Sequence, residues 1–204
     1  MGTGYNEVVY VFILKLKIKT LIKNSLKGIT LIEVLVVVLI VGLLSSILVA
    51  DFPKIRRQFA LTRVAYKMSQ DLRRTQDMGL SGQRVEGLDV KGYGVYVNLD
   101  DLNLGNKKYI IYADINDDQQ YVQKTDFIIE EISFGQTELG VIIDRIANTD
   151  NRWIDINFKP PNPTITITSL LPNTNQAQII FGLESDPSNE RIISVNTSGL
   201  IEVK

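Results

Sequence analysis

ITLIEVLVVVLIVGLLSSILVA, residues 29–50, decides how this chain is read. Its 22 residues contain a single charge, Glu33, in the fifth position. At about 1.5 Å of rise per residue, a helix of that length covers roughly 33 Å, enough for a hydrocarbon core of about 30 Å. A secretory signal core usually has only about 7–15 apolar residues, so cleavage after Ala50 fits poorly. A carboxylate deep in a membrane helix costs roughly 2.5–3.5 kcal/mol on insertion scales, and less near an end, so Glu33 needs a partner. Lys15, Lys17, Lys19, Lys23 and Lys27 precede the run and stop at Gly28. They direct the N-terminal side to the cytoplasm and the polar remainder outside. Lys54, Arg56 and Arg57 beyond the run weaken that asymmetry.

The string KGITLIEVLVVVLIVGLL resembles the class III signal of type IV pilins and of the pseudopilins of type II secretion. The resemblance implies cleavage by a prepilin peptidase between Gly28 and Ile29. It also implies N-methylation of Ile29 and a role for Glu33, the fifth mature residue, in assembly. Each residue has a physical reason in that setting. A protease at the membrane surface needs a small residue at the cut, and glycine supplies it. The new amine of Ile29 is cationic near neutral pH. Pairing it with Glu33 of a neighbouring subunit would fix the axial step between helices, as buried ionic groups do in other assemblies. The alternatives are a pair with the subunit's own Ile29, or a place at headgroup level. The implied partners are the peptidase, other pilin or pseudopilin subunits and an inner-membrane assembly platform. The implied location is a single pass through the bacterial inner membrane, leader cytoplasmic and head extracytoplasmic.

Charge divides the chain of 204 residues. Residues 1–28 carry net +4 and the apolar run −1. Residues 51–84 hold eight basic and three acidic groups, net +5, whereas 85–204 carry net −9. A basic stem thus precedes an acidic head, and an acidic head argues against nucleic-acid binding there. The chain has no cysteine and no histidine. That removes thiol chemistry, thiolate zinc sites, the Ser-His triad and the commonest general base. No phosphate loop, nucleophile elbow or pair of catalytic acids stands out, and the chain does not read as an enzyme.

Residues 54–80 continue as an amphipathic helix. Leu61, Val64, Ala65, Met68 and Leu72 form one apolar stripe, with basic residues on the other faces. Pro53 leaves the carbonyl of Val49 without its helical donor, which predicts a kink or local unwinding. If continuous, residues 29–80 span roughly 75 Å. Gly42, Ser45 and Ser46 would let neighbouring helices approach closely. The glycines and polar residues of 81–87 end the helix. Period-two patterning then predicts strands over 93–97, 109–112, 127–132, 153–158, 164–168, 178–181, 191–195 and 200–203. The last two are joined by the turn Asn196-Thr197-Ser198-Gly199. Pro160, Pro161 and Pro163 mark a loop or edge.

The expected architecture is α+β: a pilin-like lollipop with a long N-terminal helix and an antiparallel β head packed on the helix's amphipathic half. Its parts are a leader (1–28), a transmembrane half (29–50), an amphipathic half (51–82) and the head (83–204). The stretch 52–82, with YGVYVN and the closing ISVNTSGLIEV, resembles the GspH/FimT-like minor pseudopilins. Asp114, Asn116 and Asp118 alternate as oxygen ligands of Ca²⁺ would. An EF-hand would require Gly at Gln119 and Glu at Thr125, and both fail, so a solvated turn competes with a looser calcium site. Asp100-Asp101 and 148–151 read as surface turns, and Trp153 as core. Two functions fit. One is a structural subunit of a pilus or pseudopilus. The other is a membrane-anchored module, such as a tip pilin that contacts DNA, a surface or secreted cargo.

Overall fold

A computed structural model describes residues 28–85, 87–138, 140–147, 152–160, 164–169 and 175–204. The basic leader, the turn at 148–151 and Pro161 and Pro163 fall outside the described residues. Contacts divide the chain into two compact units whose boundary lies between Asp51 and Phe52.

The first unit carries the start of a helix, α1, that runs Leu31–Ser81 without interruption at Pro53. The local unwinding predicted there does not occur. Thr30 caps the first turn: the backbone N–H of Glu33 donates to Thr30 Oγ1 at 3.3 Å. Every side chain from Leu31 to Val49 is exposed. This stretch is long and apolar enough to cross a membrane.

In the second unit, α1 becomes one-sided. Leu61, Val64, Ala65, Met68 and Leu72 are all buried, as their spacing predicts. The helix stops where Gly82 adopts a left-handed φ of 55° and the N–H of Gln83 donates to the Met78 carbonyl, an αL-type terminus. Gly79 sets the helix tight against a strand: a Cβ there would lie 2.8 Å from the Phe158 carbonyl oxygen.

Among the described residues nine strands follow: β1 Gly92–Asn98, β2 Lys108–Asp114, β3 Phe127–Ser133, β4 Val141–Ala147, β5 Trp153–Lys159, β6 Thr164–Thr168, β7 Gln176–Leu183, β8 Asp186–Asn196 and β9 Ile201–Val203. They form two sheets, β3-β2-β1-β5-β6 and β4-β7-β8-β9, in which all pairings are antiparallel. The helix stripe and the inner faces of both sheets share one core, including Val95, Ile111, Ile156, Phe158, Ile179, Phe181 and Ile193. The predicted α+β architecture is the one observed. The predicted hairpin between β8 and β9 is present too. Asn196 Oδ1 accepts the N–H groups of Ser198 and Leu200, and Gly199 supplies φ 91°.

Two features depart from the sequence pattern. β4 has no counterpart among the predicted strands. Its register shifts between Ile143 and Arg145, so the inward residues are Val141, Ile143 and Ile146 and the period of two is broken. Trp153 is not core. Ile154, Ile156 and Phe158 take the inner face, which turns Trp153 to the outer face, half-buried beside Tyr96 at 6.3 Å between rings.

Candidate functional site

The residues of the N-terminal signal lie together at the start of α1. Gly28 and Ile29 precede the helix and are exposed, Ile29 at 74%. A Cβ built on Gly28 meets nothing within 4 Å, and the same holds for Gly42. Among the described residues, packing therefore does not require glycine at either place. The Glu33 carboxylate is exposed and has no hydrogen-bond or ion-pair partner among the described residues. One role of the Thr30–Glu33 pair escaped the sequence reading. Ser/Thr followed three residues later by Glu is also a helix-start signature, and Thr30 fulfils it.

Pro53 opens the second unit, and the apolar face around it is unpartnered. Phe52, Ile55, Phe59 and Tyr66 are exposed at spacings of three, four and seven residues, a seam on one side of the helix. Next to it, a groove of about 550 Å³ is lined by Phe59, Tyr66, Tyr109, Ile132 and Phe134.

The basic stem is largely engaged within its own unit. Arg63 makes a bidentate pair with Glu138 at 2.9 and 2.6 Å. Arg74 reaches Glu130 at 2.7 Å, Arg73 donates to the Ile201 carbonyl at 2.9 Å and Arg57 to Ser185 at 3.0 Å. Lys67 holds Asp71, which also accepts the buried hydroxyl of Tyr109 at 2.6 Å. Burial, with Asp71 beside it, raises the Tyr109 pKa far above that of an ordinary phenol.

The acidic turn after β2 works on the backbone. Asp114, fully buried, accepts the N–H groups of Asp117 and Gln119 at 2.8 and 2.9 Å. Asp118 accepts from Asn116 Nδ2 at 2.7 Å and from the N–H of Gln120 at 2.9 Å. Asp126 accepts the N–H groups of Ile115 and Val122. These oxygens are spent on turns. Among the described residues, no group of three or more His, Cys, Asp or Glu could hold a metal ion. The calcium expectation for Asp114, Asn116 and Asp118 therefore gains no support. Asp100-Asp101 is likewise a turn: Asp101 Oδ1 accepts from the N–H groups of Asn103 and Leu104.

Above that turn lies a polar cluster that the sequence did not reveal. Asp155 and Asn157 of β5 are fully buried on the outer face of the five-stranded sheet. Asp155 accepts from the Tyr112 hydroxyl and from the N–H of Tyr121, both at 2.6 Å. Gly92 and Gly94 of β1 leave the floor open: a Cβ on Gly94 would lie 2.3 Å from the Tyr112 ring, and one on Gly92 would lie 2.7 Å from Asn157 Oδ1. Burial pushes the Asp155 carboxyl up to about 8. Alternation with the inward Ile154, Ile156 and Phe158 puts both on the outer face. The segment 115–126, distant in sequence, covers them.

Residues 23–49 match the prokaryotic N-terminal methylation motif. No curated protein and no solved structure matches the chain. The motif joins the leader's last lysines, Gly28, Glu33 and the exposed apolar helix in one segment, and it supports the resemblance to type IV pilins and pseudopilins.

Proposed function

We propose that this protein is a minor pilin or pseudopilin, a structural subunit of a type IV pilus or of a type II secretion pseudopilus. Prepilin peptidase removes the leader (1–28) by cutting after Gly28, and Ile29 is then N-methylated. The apolar half of the helix (29–50) first anchors the subunit in the inner membrane by a single pass, with residues 83–204 outside. It then carries the subunit into a filament. Glu33 pairs with the Ile29 amine of a neighbouring subunit and sets the register. The small residues Gly42, Ser45 and Ser46 permit close helix approach, and Pro53 marks the change from membrane half to amphipathic half (51–82). The partners are the peptidase, other subunits and an inner-membrane assembly platform.

The observation that carries this reading is the free state of the signal segment. Among the described residues, Gly28 meets no neighbour, the Glu33 carboxylate has no partner and residues 31–49 are exposed throughout. Residues that a chain does not use itself are explained by a processing enzyme and by neighbouring copies. The exposed seam from Phe52 to Tyr66 extends the same logic past the membrane half.

The alternative, an anchored module that binds DNA, has less support than composition suggests. Arg63, Lys67 and Arg74 are paired with carboxylates within the unit, which lowers the positive charge open to phosphates. Mass spectrometry of the mature N-terminus tests the main reading. The expected species begins at a methylated Ile29. An intact N-terminus would reduce the protein to a plain anchored domain.

A further inference from the structure

The assembly reading leaves the covered outer face of the five-stranded sheet without a role. Asp155 is at its centre. Tyr96 faces it from β1, Tyr112 and Asp114 from β2, and Thr166 and Thr168 from β6. Trp153, Asn157 and Lys159 flank it on its own strand. Asp117, Gln119, Tyr121 and Asp126 come from the covering segment. Lys159 is the one cation in this set, and its ammonium is committed to Asp117 at 2.6 Å. Among the described residues no cation pairs with Asp155. The covering segment itself is under conformational load. Asp117, Gln119 and Lys124 have φ of 64°, 61° and 80°, left-handed values unfavourable for residues with a Cβ. Its attachments are the carboxylates of Asp114 and Asp155, the Thr166–Gln119 contact, the Lys159–Asp117 pair and the packing of Tyr121 on Tyr96 and Tyr112.

We propose that segment 115–126 is a latch that closes with a proton on Asp155 and is released as pH rises. In the closed form Asp155 Oδ2 accepts the Tyr121 N–H, while the protonated Oδ1 donates to the Tyr112 oxygen. The Tyr112 hydroxyl then turns to Asn157. Asn157 Oδ1 is otherwise buried without a partner, and rotating its amide by half a turn puts that oxygen 3.2 Å from the Tyr112 oxygen. The rotation gives up only a marginal 3.5 Å contact with Asp114. When the proton leaves to water, a bare carboxylate remains buried beside Asp114 and Asp126. Lifting the segment hydrates it.

The direction follows from linkage. Asp155 titrates near 8 when covered and near 3.8, the ordinary value, when exposed. The stabilisation is therefore complete below about pH 4 and is lost as pH rises to about 8. One proton released per opening means about a tenfold rise in the opening constant per pH unit within that window. The chain has no histidine, so no ordinary side chain competes there, and only an amino terminus titrates nearby. Tyr96, Tyr112 and Tyr121 are all shifted upward, out of the window. Burial also raises the Asp114 carboxyl, against the opposing effect of the Gln119 and Asp117 N–H groups.

Amide hydrogen exchange of the full chain in detergent micelles at pH 5, 6 and 7, corrected for intrinsic exchange, reads the opening. The Tyr121 amide and its segment should open about tenfold more per pH unit, whereas β7 amides stay level. In Asp155→Asn, which keeps a neutral group in place, the segment should show no slope. A level wild-type segment overturns the proposal, and so does an unchanged slope in Asp155→Asn. The wild-type contrast between the segment and β7 decides alone if that variant does not fold. None of this depends on processing at Gly28.

Discussion

Residues 31–49 and 60–78 lie on one helix and are both rich in apolar side chains, yet they behave oppositely. In the first, every side chain is exposed. In the second, Leu61, Val64, Ala65, Met68 and Leu72 are buried on one stripe, and charged residues take the remaining faces. The difference is one of period rather than hydrophobicity. A stripe of period 3.6 is satisfied by one neighbouring surface, here two sheets. A segment apolar all round can be satisfied only by an environment apolar on all sides: lipid or other helices.

The sharpest way to break this contrast is to truncate a leucine in each half. Leu72→Ala removes a fully buried side chain and should cost about 3 kcal/mol, seen as a lower melting temperature of the full chain in detergent. Leu39→Ala should leave that melting unchanged; an equal loss would mean that the first half is packed within the chain after all. Glycines give the next largest effect. Gly94→Ala drives a methyl group into the Tyr112 ring and should cost about 2 kcal/mol, whereas Gly42→Ala meets no neighbour and should cost nothing in the same assay. The smallest thermal effect is expected of Glu33→Ala, whose carboxylate has no partner among the described residues. Its consequence should appear in assembly: cleavage proceeds, and incorporation into filaments falls. Normal incorporation of that variant would remove Glu33 from the register mechanism.

The helix, its buried stripe, eight of the strands and the closing hairpin were legible because each is written in local periodicity or turn chemistry. Leu61 to Leu72 needed only spacing, and Asn196 to Gly199 only turn residues. β4 was not legible, because the bulge at Asp144 destroys the alternation on which a strand is recognised. Trp153 was misread because its size suggested core, whereas its parity with Ile154 places it on the other face. For the acids of 114–118, sequence left a solvated turn and a looser calcium site side by side for another reason. Spacing shows where carboxylates fall, and it does not show that backbone N–H groups already occupy them. The buried pair Asp155 and Asn157 depends on a cover supplied from some thirty residues upstream, so no local pattern announces it. The N-terminal signal lay at the opposite extreme. Gly28, Ile29 and Glu33 stand out in sequence, whereas among the described residues Gly28 meets no neighbour and the Glu33 carboxylate has no partner.

The two sheets end in four edges, and each is blunted differently. β3 carries Glu130 and Glu131 on its length, β4 is bulged, and β6 and β9 are only five and three residues long. Unguarded edges recruit strands from other chains, and the hazard grows with concentration. With its edges blunted, the β domain is guarded against recruiting strands from other chains.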